Sequence, residues 1–175
     1  CKDVTFAVEQ GERLALRGAN GTGKSSLLKL LAGETIPHTG QIKTASGLIV
    51  SYVPQDTSFL RGDLREFIAE SGADESLFKA ILRKLDFAKS QFDLDMMDYS
   101  AGQKKKVLLA LSLCKPAHLY LWDEPLNYVD LWSRMQLEEL LLSSGATLIF
   151  VEHDRAFADR VATRTVVLES LSDHR

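Results

Sequence analysis

Cysteine is scarce: Cys1 and Cys114 are too few for a disulfide framework, and Cys114 lies in an apolar stretch, as buried free cysteines do. A reducing, cytoplasmic setting is expected. Long hydrophobic runs are missing too. The longest, Val107 to Cys114, is closed by Lys104-Lys105-Lys106 before it and Lys115-Pro116 after it. A membrane-spanning helix needs about 20 apolar residues, so no direct membrane insertion is expected. No secretory signal opens the chain. It begins Cys1-Lys2-Asp3, without an initiator methionine and inside what reads as a strand, so a fragment of a longer protein is expected. Neither charge sign dominates: 21 basic and 24 acidic side chains leave a net charge of −3, without the footprint of a general nucleic-acid binder. Internal repeats and low-complexity linkers are absent as well.

What is present is ordinary in bulk and specific in detail. Over 175 residues, 45% are hydrophobic and 26% charged, enough for one domain with a core. The stretch that organises the rest is Gly18-Ala19-Asn20-Gly21-Thr22-Gly23-Lys24-Ser25-Ser26, with an apolar strand pattern before it (Leu14, Ala15, Leu16) and an apolar helix pattern after it (Leu27, Leu28, Leu30, Leu31). A strand, a glycine-rich loop and a helix in that order make a phosphate-binding loop. Gly18, Gly21 and Gly23 admit backbone angles closed to other residues. The loop N–H groups can then converge on a polyphosphate at the positive end of the helix. Lys24 would supply a charge for the β- and γ-phosphates, and Ser25 a hydroxyl for Mg²⁺.

Around this loop the chain alternates between strand and helix patterns. Strands are expected at Val4–Val8, Arg13–Arg17, about Gln41–Lys43, Leu48–Val53, Leu119–Trp122, Ala146–Val151 and Thr165–Leu168. Helices are expected at Lys24–Ala32, in two stripes within Leu64–Leu85, and at Ser100–Cys114, Leu131–Leu142 and Arg155–Val161, with a frayed tail at Glu169–Arg175. Apolar strands alternating with helices imply an α/β fold, with a mostly parallel sheet covered on both faces.

Four further places carry chemistry in company with the loop. The strand Leu119-Tyr120-Leu121-Trp122 ends in two acids: Asp123 could hold Mg²⁺ through water, and Glu124 could polarise an attacking water. Ser100-Ala101-Gly102-Gln103 begins a helix, as either an anion site or a plain N-cap by Ser100. Spacing does not separate the two. His153 follows a buried strand, and is either a γ-phosphate sensor or a satisfied loop histidine. Gln55, after Pro54, is either an amide that reaches metal or water, or a polar loop residue.

In this order, Gly18–Ser25, Gln55, Tyr99–Gln103, Leu119–Glu124, Asn127–Asp130 and His153 resemble the Walker A, Q-loop, signature, Walker B, D-loop and switch histidine of an ATP-binding-cassette (ABC) ATPase. The runs Trp122–Asp130 and Phe150–Phe157 further resemble the F subfamily (ABC-F), and best its C-terminal cassettes of the antibiotic-resistance type. The resemblance implies a P-loop NTPase fold over residues 1–175, with an N-terminal antiparallel β portion and a helical subdomain at about 62–115. It implies ATP and Mg²⁺ as ligands and a second cassette as partner. It also implies action on the ribosome through the parent protein, as a translation factor or by ribosomal protection. A membrane-transporter subunit is the alternative, and a module that no longer hydrolyses ATP is a third, opposed by the intact Glu124.

By the same resemblance Glu124, His153 and Gln55 are catalytic, and Ser25, Gln55 and Asp123 serve the metal. Gly18, Asn20, Gly21, Gly23, Lys24, Ser25 and Ser26 bind one ATP, while Ser100, Gly102, Gln103 and Asp130 meet an ATP held by the other cassette. Ala101 stands where the family has the first signature glycine. The family's adenine-stacking aromatic would precede Val4, so Phe6 is read as core.

Overall fold

A computed structural model describes residues 4–169. Five strands, β1 (Arg13–Arg17), β2 (Val50–Val53), β3 (Leu119–Asp123), β4 (Leu148–Val151) and β5 (Arg164–Val167), form one sheet in the order β2-β3-β4-β1-β5, every neighbouring pair parallel. The crossovers carry six α-helices: α1 (Lys24–Leu31), α2 (Leu64–Ser71), α3 (Glu75–Lys84), α4 (Ala101–Cys114), α5 (Leu131–Ser144) and α6 (Arg155–Val161). Two 3₁₀ turns, Lys89–Asp93 and Met96–Asp98, return the chain from α3 to α4.

The central strands are apolar on both faces because both faces are covered. Their side chains alternate between two cores. Leu14, Leu16, Leu119, Leu121, Ile149 and Val151 meet Leu28 of α1 on one side. On the other, Ala15, Trp122, Leu148 and Phe150 join the larger core of α4, α5, α6 and the helices before α4. Helix α4 is buried on nearly all sides, wedged against β2 and α3. The Leu64–Leu85 pattern splits where Gly72 takes a left-handed φ of 69° at the end of α2 and Asp74 caps α3.

Two expected strands do not form. Val4–Val8 joins no ladder, and among the described residues the only antiparallel pairing is an isolated Asp63–Asp95 bridge. Phe6 and Val8 still pack on the α1-side core, and Arg164 donates to the Ala7 carbonyl, so the alternating pattern reflects packing without a strand partner. Gln41–Lys43 is exposed throughout and has no partner either. The N-terminal antiparallel portion is therefore absent from the described residues. Other bounds shift by at most two residues, as helix and strand ends do. Of the tail, residues 170–175 lie outside the described residues, as do residues 1–3.

Candidate functional site

All five strands run the same way, so the segments after β1, β2, β3 and β4 emerge at one edge of the sheet, where open α/β sheets bind ligands. The loop after β1 is built by glycine. Gly18 has φ 151°, and a Cβ there would lie 2.5 Å from the Leu168 carbonyl oxygen and 2.9 Å from Thr22 Oγ1. Gly23, at φ 89°, turns the chain into α1, whose N-terminus no side chain caps. Lys24 is buried, and its Nζ donates to the carbonyls of Gly18 and Ala19, each at 2.9 Å. Thr22, unremarked in the sequence, is 1% exposed and donates to the Ala19 carbonyl at 2.9 Å. Asn20 sits exposed at the loop tip and Ser26 exposed on the first turn of α1.

Two expected residues converge on the carboxylate of a third. Gln55 Nε2 donates to Glu124 Oε2 at 3.0 Å, and His153 Nε2 lies 3.1 Å from Glu124 Oε1. Asn127 also donates to Glu124 Oε2. Glu124 adopts φ 49°, a rare conformation outside glycine, and its amide donates to the Val151 carbonyl at 2.9 Å. The turn that follows brings Asn127 back over Glu124, a contact that sequence spacing does not reveal.

Asp123 is 1% exposed, and its Oδ1 has no hydrogen-bond partner. Burial pushes its carboxyl up, the Ser25 hydroxyl opposes this, and the neighbouring Glu124 adds to it. A buried carboxylate oxygen without a donor, beside a serine hydroxyl, suits a hard cation such as Mg²⁺, so Ser25 and Asp123 fit that ion. Tyr52, on the adjacent β2, is pushed up to about 12 by burial and then by Asp123, and its hydroxyl is also unpartnered.

Two of the three lysines that precede the apolar run are buried. Lys105 is 1% exposed, and its Nζ donates to the carbonyls of Pro54 at 2.9 Å, Gln55 at 3.1 Å and Asp123 at 3.5 Å. Lys106 is buried and pairs with Asp130 at 2.6 Å. Burial pushes the Asp130 carboxyl up, but Lys106 and the Ser133 amide and hydroxyl outweigh it and hold the carboxyl down at about 2.

The signature residues stand apart from the phosphate loop. Among the described residues, no hydrogen bond joins 100–103 or Asp130 to 18–26. Ser100 and Gln103 form a capping box: the Gln103 amide donates to Ser100 Oγ at 3.2 Å, and the Ser100 amide to Gln103 Oε1 at 2.8 Å. Ala101 is exposed at the first helical position. Gly102 has a steric role that the pattern did not disclose, since a Cβ there would lie 2.2 Å from the Tyr128 carbonyl oxygen.

A parallel α/β sheet, a glycine loop entering a helix with a buried lysine, and two acids at the end of a neighbouring strand define a P-loop nucleotide-binding ATPase domain. The family model described as ABC transporter matches residues 1–127. The chain belongs to that family and is an ABC ATPase domain.

Three relatives place it further. It is 34% identical to the ATP-binding protein Uup of Caulobacter vibrioides, over 96% of this chain and 29% of the relative. It is 31% identical to the ABC transporter F family member 2 of Arabidopsis thaliana, over 93% and 25%. It is 29% identical to the ribosome protection protein VmlR of Bacillus subtilis, over 97% and 31%. The resemblance to the F subfamily thus reappears among the relatives. A crystal structure of the complex of the archaeal ribosomal stalk protein aP1 with the ribosome recycling factor aABCE1 contains a similar fold, with TM-score 0.76 and 28% identity over 91% of this chain and 32% of that one. The chain spans about a third or less of each of these four proteins. Among the described residues, no helix is long and apolar enough to cross a membrane.

Proposed function

We propose that this chain is an ATP-hydrolysing cassette of a cytoplasmic protein that acts on the ribosome, and that it works against a second cassette, in the same parent chain or as a head-to-tail dimer. The observation that carries the hydrolytic reading is the convergence of Gln55, Asn127 and His153 on the Glu124 carboxylate. Both amides share Oε2 and His153 alone holds Oε1, so Oε1 is the oxygen with room to take a proton from water. The attacking water loses that proton to Glu124 as its oxygen bonds to the γ-phosphorus. The bond from the γ-phosphorus to the bridging oxygen breaks, leaving ADP and phosphate.

Lys24 and the free amides at the start of α1 bind the phosphates, and His153 steadies Glu124 and the γ-phosphate side. Ser25, Asp123 and Gln55 would hold Mg²⁺, which neutralises phosphate charge when bound. Ser100, Gly102 and Asp130 belong to the face that meets the partner's ATP. One ATP within one domain does not reach both helix starts, and pairing two-fold lets each surface serve the other. Loss of the γ-phosphate removes the bridge and reopens the pair.

Ribosomal action is supported by the names of VmlR and of the aABCE1 complex. The test is Glu124→Gln in the full natural chain that carries these residues. It keeps the shape of the site and removes the base, so the chain should co-sediment with ribosomes in ATP and hydrolyse it about 100-fold or more slowly. Sedimentation with membranes instead would favour a transporter subunit and overturn the ribosomal reading.

A further inference from the structure

Two of the buried charges that the family motifs leave unused, Glu152 and Lys105, lie beside the site. Glu152 directly follows β4 and is 9% exposed. Its Oε1 accepts from the amides of His153 at 2.8 Å and Asp154 at 3.2 Å, and its Oε2 accepts from the amide of Leu126 at 3.0 Å. Leu126 lies in the turn between Glu124 and Asn127, so one carboxylate grips both the segment that bears the base and the segment that bears the histidine. Lys105 does the complementary work from α4. Its ammonium donates to the Pro54 and Gln55 carbonyls of the segment after β2 and to the Asp123 carbonyl at the end of β3. The anion collects amides and the cation collects carbonyls. Between them they reach all three segments whose side chains meet at the Glu124 carboxylate.

We infer that Glu152 and Lys105 are positioning residues that tie the segments after β2, β3 and β4 into one body, so that Gln55, Glu124 and His153 hold their mutual geometry during turnover. The physical reason is the cost of their alternatives. Burying an ion is unfavourable unless its hydrogen-bonding capacity is used, and both ions use it on backbone that belongs to no helix, apart from the strand-end Asp123 and the Asp154 cap. A backbone amide or carbonyl fixed from below cannot drift without leaving a buried charge unpaired, which makes each link stiff. Geometry of this kind matters because a misplacement of about 1 Å in a reacting constellation can cost roughly 100-fold in rate. Neither residue hydrogen-bonds to Gly18–Ser26, so nucleotide affinity and turnover should separate.

The inference rests on the hydrolytic reading above, and the test has an arm that does not. In the full natural chain, Glu152→Gln and Lys105→Met keep volume while removing charge. Turnover should fall about 10- to 100-fold, with ATP affinity by direct titration within about threefold of wild type. Because part of the Glu152 effect runs through His153, Glu152→Gln and His153→Ala combined should cost less than the product of their separate losses, whereas independent or merely structural roles multiply. The second arm is amide hydrogen exchange without nucleotide. Glu152→Gln should speed exchange at Leu126, His153 and Asp154 together, leaving the amides of Gly21–Ser25 unchanged. Unchanged turnover, multiplicative losses, or affinity falling in step with turnover would overturn the inference. So would exchange that rises at His153 and Asp154 but not at Leu126. Wild-type protein without ATPase activity would instead overturn the hydrolytic reading, and the exchange arm would still decide whether the segments are tied.

Discussion

Replacing Gly102 with alanine separates two accounts of the signature helix. If Gly102 serves only to let a partner's phosphate approach, the isolated domain should gain from the change, because alanine exceeds glycine in helix propensity by up to about 1 kcal/mol. The structure says otherwise. The added Cβ would stand 2.2 Å from the Tyr128 carbonyl oxygen, against an ordinary contact of 3.4 Å or more, so helix start or turn must yield by about 1.2 Å. Both are backbone, and Tyr128 already occupies a left-handed φ of 64°. Overpacking of this kind costs about 1–3 kcal/mol. Set against the smaller propensity gain in a first turn, the net is about 1–2 kcal/mol of destabilisation. For a domain of this size that lowers the melting midpoint by about 2–8 °C. Because Tyr128 follows Asn127, which donates to Glu124, turnover should fall with stability, by about tenfold. Thermal unfolding and ATPase rates of Gly102→Ala beside Ala101→Gly give the comparison, since Ala101 is exposed and its change should cost about 0.5–1 kcal/mol at most. A Gly102→Ala protein that melts at or above the wild-type temperature would refute the steric account.

Three other outcomes follow from the same contacts. ATPase activity per molecule of the isolated chain should rise with concentration across a hundredfold dilution series, and a flat non-zero rate would show that one chain completes hydrolysis alone. Asp130→Asn should destabilise at neutral pH. A carboxyl held at about 2, against an ordinary 3.8, stabilises fully above 3.8 and loses that contribution as pH falls through about 2. The gap between mutant and wild type in denaturant unfolding should therefore close between about pH 4 and pH 2, and a constant gap would show that charge does not carry it. Ser133→Ala removes a fully buried hydroxyl that is shared between the Leu85 carbonyl and Asp130 Oδ2, each at 2.8 Å, linking the end of α3 to the start of α5. It should cost about 1–3 kcal/mol, and a loss below about 0.5 kcal/mol would refute that link.

What could be read from the sequence was what is local in it. The phosphate loop keeps its chemistry within nine consecutive residues, and the paired acids announce themselves at the end of an apolar strand. Gln55, Glu124 and His153 were each identified singly, but that they share one carboxylate depends on the strand order, which no spacing encodes. Val4–Val8 misled because alternation records which side chains are buried, and Phe6 and Val8 are half-buried without a strand beside them. The role of Lys105 stays illegible for the converse reason. A charge reads as surface unless its partners are known, and its partners are backbone carbonyls more than fifteen residues away. The steric contact of Gly102 stays hidden in the sequence because the close carbonyl belongs to Tyr128, a left-handed turn residue beyond the reach of pattern.

The uniform direction of the five strands also divides the protein into a working rim and a rim that can be handled. Arg13, Val50, Leu119, Leu148 and Arg164, where the strands begin, mark the edge opposite Gly18, Gln55, Glu124 and His153. The chain enters β4 on that opposite rim through Gly145, which sits at φ 63° with open space where a side chain would be. A fluorophore, an affinity peptide or a surface tether grafted into this turn is held a full strand length from the nucleotide. It reports on or immobilises the molecule without entering the rim that carries the phosphate loop and Glu124.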